Sequence, residues 1–126
     1  MIRYLYNRQC NPPAPFVHVT LHCPQTGKEL PDVPAQLDTA SDRTTLPWNI
    51  VETLALAQID EALVESYGGE IAAVPVFNLR VVIRQLPPVD LNVFGRKGEP
   101  YVLLGRDVLN RYRIVLDGPQ LAFEIG

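Results

Sequence analysis

From Phe16 to His22 apolar and polar residues alternate, with Val17, Val19 and Leu21 set against His18, Thr20 and His22. A period of two predicts a half-buried strand. The Pro24-Gln25-Thr26-Gly27-Lys28 stretch supplies turn chemistry, and the chain is expected to return through Val33 to Leu37 as the second arm of a hairpin. A longer alternation runs from Glu70 to Ile83. Its odd positions, Ile71, Ala73, Pro75, Phe77, Leu79, Val81 and Ile83, are all apolar, whereas the even ones include Asn78 and Arg80, so one face is expected to be buried. Pro75 has no N–H for a ladder, which places its part of the strand at an edge or beyond the sheet. Gly68-Gly69 is the expected tip joining this strand to one over Val64 to Tyr67.

Elsewhere the period changes or the runs shorten. Pro47 suits a first helical position, and Ile50, Val51, Leu54 and Ala55 recur at helical spacing, which predicts a short helix from Pro47 to Leu56. Val89 to Phe94 and Tyr101 to Leu104 read as strands on either side of a turn at Gly95 to Gly98. Asp107 is expected to cap a second helix over Val108 to Tyr112. Arg113 to Leu116 and Leu121 to Ile125 then close the chain as a hairpin over Asp117-Gly118-Pro119. Residues 1 to 15 combine a short strand with the proline-rich Asn11 to Pro15 connection and read as an N-terminal arm. The expected whole is one mostly β domain over residues 1–126.

Composition narrows the function. With 126 residues, 47% of them hydrophobic and 20% charged, the chain can bury a real core. The net charge is -3 and no basic cluster occurs, so nucleic acid is not an expected partner. The apolar stretch Ile71 to Phe77 is far below the ~20 residues of a membrane-spanning helix, and the first thirty residues lack a signal-peptide core. A soluble, cytoplasmic protein with no membrane partner is the expectation. Cys10 and Cys23 form no CxxC motif and fit a reduced compartment. Together with His18 and His22 they match no usual zinc spacing, and Cys23 alternates away from His22, so no metal is expected.

Two stretches carry candidate chemistry. In Leu37-Asp38-Thr39-Ala40-Ser41-Asp42 an acid, a hydroxyl residue and small residues follow an apolar strand, a setting in which backbone N–H groups can hold the Asp38 carboxylate. Alone, this equally describes an Asx turn. The second stretch is Val102-Leu103-Leu104-Gly105-Arg106-Asp107, two large apolar residues before a glycine, an arginine and a helix start. Taken as a pair, with a glycine-tipped hairpin between them, the stretches resemble the retroviral-type (retropepsin-like) aspartic proteases. Those carry Asp-Thr/Ser-Gly-Ala/Ser and, later, two hydrophobics followed by Gly-Arg-Asp/Asn.

The resemblance spans Phe16 to Ile125. It implies a closed-barrel, homodimeric fold with a flap hairpin and one or two short helices, and aspartic endopeptidase activity on peptide or polypeptide substrates without a cofactor. It makes Asp38 the catalytic carboxylate and Thr39 the residue whose hydroxyl reaches the partner's loop. Ser41, Asp42, Gly105 and Arg106 become supports of the site, with Asp42 pairing with Arg106, and Tyr67, Gly68 and Gly69 become the flap. Because the chain has one such aspartate, a two-fold axis must supply the second. The two carboxylates would share one proton, as is general in aspartic proteases, since like charges so close cannot both ionise. Ala40 departs from the pattern, which has glycine there. The alternative implied by that Cβ is a weakened or inactive peptide-binding or dimerisation module. The N-terminal and C-terminal strands are equal candidates for the interface.

Overall fold

The structure is a computed structural model that describes residues 1–65 and 68–126. Among the described residues ten strands and two short helices follow in the order β1 (Ile2–Leu5), β2 (Phe16–His22), β3 (Glu29–Leu37), β4 (Thr45–Pro47), α1 (Trp48–Thr53), β5 (Gln58–Glu65), β6 (Ile71–Val82), β7 (Val89–Arg96), β8 (Val102–Leu104), α2 (Arg106–Leu109), β9 (Ile114–Asp117) and β10 (Ala122–Ile125). Strands pair in the order β2-β3-β8-β4-β7-β6-β5, and a further β2–β6 pairing closes the first six of these into a barrel. Closure pairs Thr20 with Val82, Leu21 with Val81 and His22 with Arg80. Val17, Val19, Leu21, Ala35, Leu46, Leu79, Val81, Val93, Val102 and Leu104 fill the interior. Most sit at alternate strand positions, as a barrel requires.

The expected β2 hairpin and the mostly β fold are observed. In β6, Phe77, Leu79 and Val81 are buried, as is Ile83 just beyond it, and Arg80 is exposed, as the alternation predicts. Nearer the tip the pattern fails, because Ile71 and Ala73 are exposed while Val74 and Val76 are buried. The reason lies in the pairing. β7 joins β6 only from Val76 onward, so residues 71–75 have β5 alone beside them and the pair projects as an arm. Pro75 sits in that projecting part, opposite Glu61, where no second neighbour asks for its N–H.

Strand β5 begins at Gln58, six residues before the expected Val64. Both of its faces are largely exposed, so hydrophobic periodicity does not mark it, and pairing with β6 creates it. Helix α1 ends at Thr53 rather than Leu56, with Pro47 as its N-cap and Ala55 at a positive φ of 49 just beyond it. Trp48 packs edge-on against Phe77 at 6.0 Å between ring centres, holding α1 to the barrel. The N-terminal strand is tied down: β1 pairs with β10 from Ile2–Ile125 to Leu5–Ala122, and β10 pairs with β9, giving a separate three-stranded sheet.

Candidate functional site

Strands β3 and β4 are consecutive in sequence but do not pair. β8 lies between them, parallel to β3 (Ala35–Val102, Leu37–Leu104) and antiparallel to β4 (Thr45–Leu103). The loop 38–44 must therefore pass around the end of β8. That places the Asp38 stretch directly on Gly105-Arg106, sixty-odd residues away in the chain, and brings the two sequence motifs into contact.

The loop is held mainly through its backbone. Asp38 N donates to Leu104 O at 3.0 Å, Ser41 N to Asp38 O at 3.2 Å, and Arg106 N to Ser41 O at 2.9 Å. Within the turn, Ala40 N donates to Asp38 Oδ1 at 3.1 Å and the Ser41 hydroxyl donates to Arg43 O at 2.7 Å. Asp38 is half-buried, whereas Thr39 and Ala40 are exposed beside it. Ala40 is not among the residues with positive φ, so the turn does not require glycine at this position. The turn itself carries no backbone strain from the Ala40 methyl group.

Arg106 does not pair with Asp42. Its Nη1 donates to Thr39 O at 2.8 Å, Asp42 is exposed, and no Asp42–Arg106 ion pair forms among the described residues. A neutral carbonyl at the crown of the loop lies within the guanidinium's reach and takes its place. Arg106 therefore braces the backbone of the residue next to Asp38. Gly105 is needed for a different reason. A Cβ built on it would lie 2.6 Å from Arg43 C, 2.8 Å from Arg43 O and 2.9 Å from Arg43 N, so only glycine admits the loop this close to β8.

Asp107 does not cap α2. The N-cap is Gly105, and Asp107 is in the first turn, where its carboxylate reaches across to Thr44 instead. Thr44 N donates to Oδ1 and Oδ2 at 3.1 and 3.0 Å, the Thr44 hydroxyl donates to Oδ1 at 2.8 Å, and Val108 N donates to Oδ1 at 3.0 Å. Thr44 Oγ1 also accepts from Gly105 N at 3.2 Å, and Thr44 itself is fully buried. This Thr44–Asp107–Gly105 network closes the loop at its far end. The motifs alone give Thr44 no role; the signal was present in Thr44-Thr45, two hydroxyl residues entering an otherwise apolar run, and in an acid behind Gly-Arg. Thr44→Val is expected to destabilise the fold by about 1–3 kcal/mol, because it strands Gly105 N–H out of water and removes the hydroxyl's bond to Asp107 Oδ1. Thr44→Ser should restore most of that loss in a denaturant melt.

Gly68 and Gly69 lie at the tip between β5 and β6, with Gly69 at a positive φ of 76. Tyr67, the third residue expected there, lies outside the described residues. The arm exposes Leu63 and Ile71, at 78% and 68%. A cleft of about 340 Å³ opens at its root between Trp48, Val74, Pro75 and Lys97, and no residue of the Asp38 loop lines it. Among the described residues no group of three His, Cys, Asp or Glu side chains is placed to hold a metal ion, and both cysteines are free. His22 sits 3.5 Å from Glu29. Among the same residues no helix is long and apolar enough to cross a membrane.

Neither family models nor curated proteins match this sequence. Solved structures do. A retropepsin-like aspartic protease from Rickettsia conorii superposes with a TM-score of 0.64 at 15% identity, over 99% of this chain and 91% of that one. EIAV protease in complex with the inhibitor HBY-793 gives a TM-score of 0.57 at 16% identity, over 78% of this chain and 86% of that one. At such identities the likeness is one of fold, and it agrees with the closed barrel and its two short helices. The chain thus has the retropepsin-like aspartic protease fold.

Proposed function

We propose that the chain is an aspartic endopeptidase that works as a homodimer. The observation that carries this reading is the Asp38 loop: one half-buried carboxylate on a loop whose backbone is held at a strand end by bonds to Leu104 and Arg106, in a fold shared with aspartic proteases. A second copy related by a two-fold axis completes the pair. One carboxylate then takes a proton from a bound water whose oxygen attacks the scissile carbonyl carbon, and the protonated carboxyl donates to the carbonyl oxygen. Collapse of that intermediate breaks the C–N bond, with the amine leaving protonated. The Thr39 hydroxyl is exposed beside Asp38 and is available to bond the partner's loop. The β5–β6 arm serves as the lid, its exposed Leu63 and Ile71 covered when a peptide is bound.

The second reading, a noncatalytic peptide-binding or dimerisation module, rests on Ala40, whose exposed methyl stands beside the carboxylate. A peptide-library digest from pH 4 to 8 separates the two readings, comparing wild type with Asp38→Asn and with a pepstatin-type inhibitor present. Cuts that vanish in the variant and under the inhibitor establish the peptidase. A folded dimer that makes no Asp38-dependent cut leaves the module. Ala40→Gly is expected to raise kcat/KM, toward the ~100-fold that a displacement of about 1 Å costs, with stability lower by up to about 1 kcal/mol from the freer unfolded chain. Steady-state kinetics beside a thermal melt check both.

A further inference from the structure

We propose that the fork where β7 parts from β6 is a second peptide site, which takes an acidic, extended polypeptide segment as an added strand beside residues 71–75. The site goes beyond the peptidase reading and does not depend on it.

The fork follows from the two ladders of β6. β5 accompanies it from Ile71 to Phe77, but β7 pairs with it only from Val76 to Val81, because β7 turns off beside β4, with Gly95 opposite Leu46 and Arg96 opposite Pro47. Among the described residues, 71–75 therefore have one edge without a strand. Phe94 shows which backbone groups point there. Its N–H donates to Thr44 O at 3.0 Å, away from β6, so Val76 opposite it belongs to a pair that exchanges no hydrogen bond and turns its own groups to β5. Alternation then points the groups of Ile71, Ala73 and Pro75 to the open edge. Pro75 has no N–H to leave unpaired. Ile71 and Ala73 each present a donor and an acceptor, and both residues are exposed.

This edge opens onto the cleft of about 340 Å³ at the root of the arm. The cleft is lined by the arm's Ala73, Val74 and Pro75, by Arg96 and Lys97 where β7 ends, and by Trp48 of α1. Arg96 and Lys97 are exposed, and neither forms an ion pair among the described residues. Lys97 Nζ lies 5.7 Å from the centre of the Trp48 ring. The acids of β5, Asp60, Glu61 and Glu65, belong to the strand on the arm's other edge.

These features specify the occupant. Free backbone groups at strand spacing are satisfied by another backbone, which selects a polypeptide over a small anion. The two cations call for acidic side chains, whereas Trp48, Val74 and Pro75 call for an apolar one. An extended segment with acids among apolar residues meets both demands. No residue of the Asp38 loop lines the cleft, so the site is separate from the proposed catalytic one.

Trp48 is the chain's only tryptophan, so its emission reports occupancy of the fork. The probe is a short capped peptide alternating glutamate with valine, titrated into the Asp38→Asn chain so that no turnover is needed. A saturable shift of the emission is expected. The same peptide with lysine for glutamate should bind at least ~10-fold more weakly, and Arg96→Glu combined with Lys97→Glu should reverse that preference. Strand addition is tested on the peptide itself: methylating every valine nitrogen or, separately, every glutamate nitrogen removes the donors of one edge at a time. One pattern should abolish binding and the other leave it. The methylated peptides require no variant of the fork, so they decide the matter where the double reversal fails to fold. Equal binding of the two charge forms, a preference unchanged by the reversal, or methylation patterns that act alike overturns the proposal. Absence of any shift, in a chain that melts like wild type, does the same. A chain that binds the peptide here and, with Asp38 intact, cuts none would sink the peptidase reading and leave this one standing.

Discussion

Asp38→Asn is expected to lower kcat/KM by about 10²–10⁴-fold, the range that positioned acid–base groups contribute, with almost no change in melting temperature. The two halves of that expectation have separate causes. The loop is anchored by Asp38 N to Leu104 O, Arg106 N to Ser41 O and Arg106 Nη1 to Thr39 O, none of which involves the Asp38 side chain. The one hydrogen bond the carboxylate accepts within the loop comes from Ala40 N, and an asparagine Oδ1 can accept it in the same place. Stability should therefore stay within about 0.5 kcal/mol of wild type. Asparagine can neither take a proton from water nor hold the shared one, so the loss should fall on kcat rather than KM. Cleavage at the wild-type rate in a purified Asp38→Asn protein would assign the activity elsewhere.

Gly105→Ala should behave in the opposite way, losing stability first and activity as a consequence. The added Cβ would meet three backbone atoms of Arg43 between 2.6 and 2.9 Å, and backbone held at both sides cannot rotate away as a side chain would. Relief requires the loop to lift from β8, which breaks the Gly105 N bond to buried Thr44 Oγ1 as well. Overpacking together with a stranded buried donor puts the cost near ~3 kcal/mol, or roughly 10 °C in Tm for a domain of this size. Gly118→Ala is the matched control, since a Cβ there meets nothing within 4 Å and φ is not positive. It should melt close to wild type. A Gly105→Ala protein as stable as that control would mean that the loop tolerates a wider approach to β8 than the structure shows.

Much of the fold was legible because several of its strands have one wet face and one dry one. β2, the inner half of β6, and the closing hairpin announce themselves by alternation and by Gly, Pro and Asp at their turns. β5 did not, since both its faces meet water and its strand form comes from β6. β4 did not either, its three residues Thr45, Leu46 and Pro47 all being buried between neighbours that lie far off in the chain. The same limit governed the site. Asp38, Gly105 and Arg106 were recognisable by motif, but which acid each donor meets depends on a fold-back of some sixty residues. Asp107, read locally as a helix cap, is turned across to Thr44; Asp42, read as the arginine's partner, makes no ion pair among the described residues.

The sequence by itself determined the strand-rich class, the single Asp-Thr motif and hence the need for a second copy in the chemistry proposed, because these depend on periodicity and on residue identity within short windows. Only the tertiary structure decided that Arg106 braces a carbonyl, that Gly105 is a point of contact between two backbones, and that β6 has an open edge where β7 leaves it. Those outcomes depend on which strands lie side by side. Pairing of distant segments is set by closing the barrel as a whole, and no local pattern of polar and apolar residues encodes it.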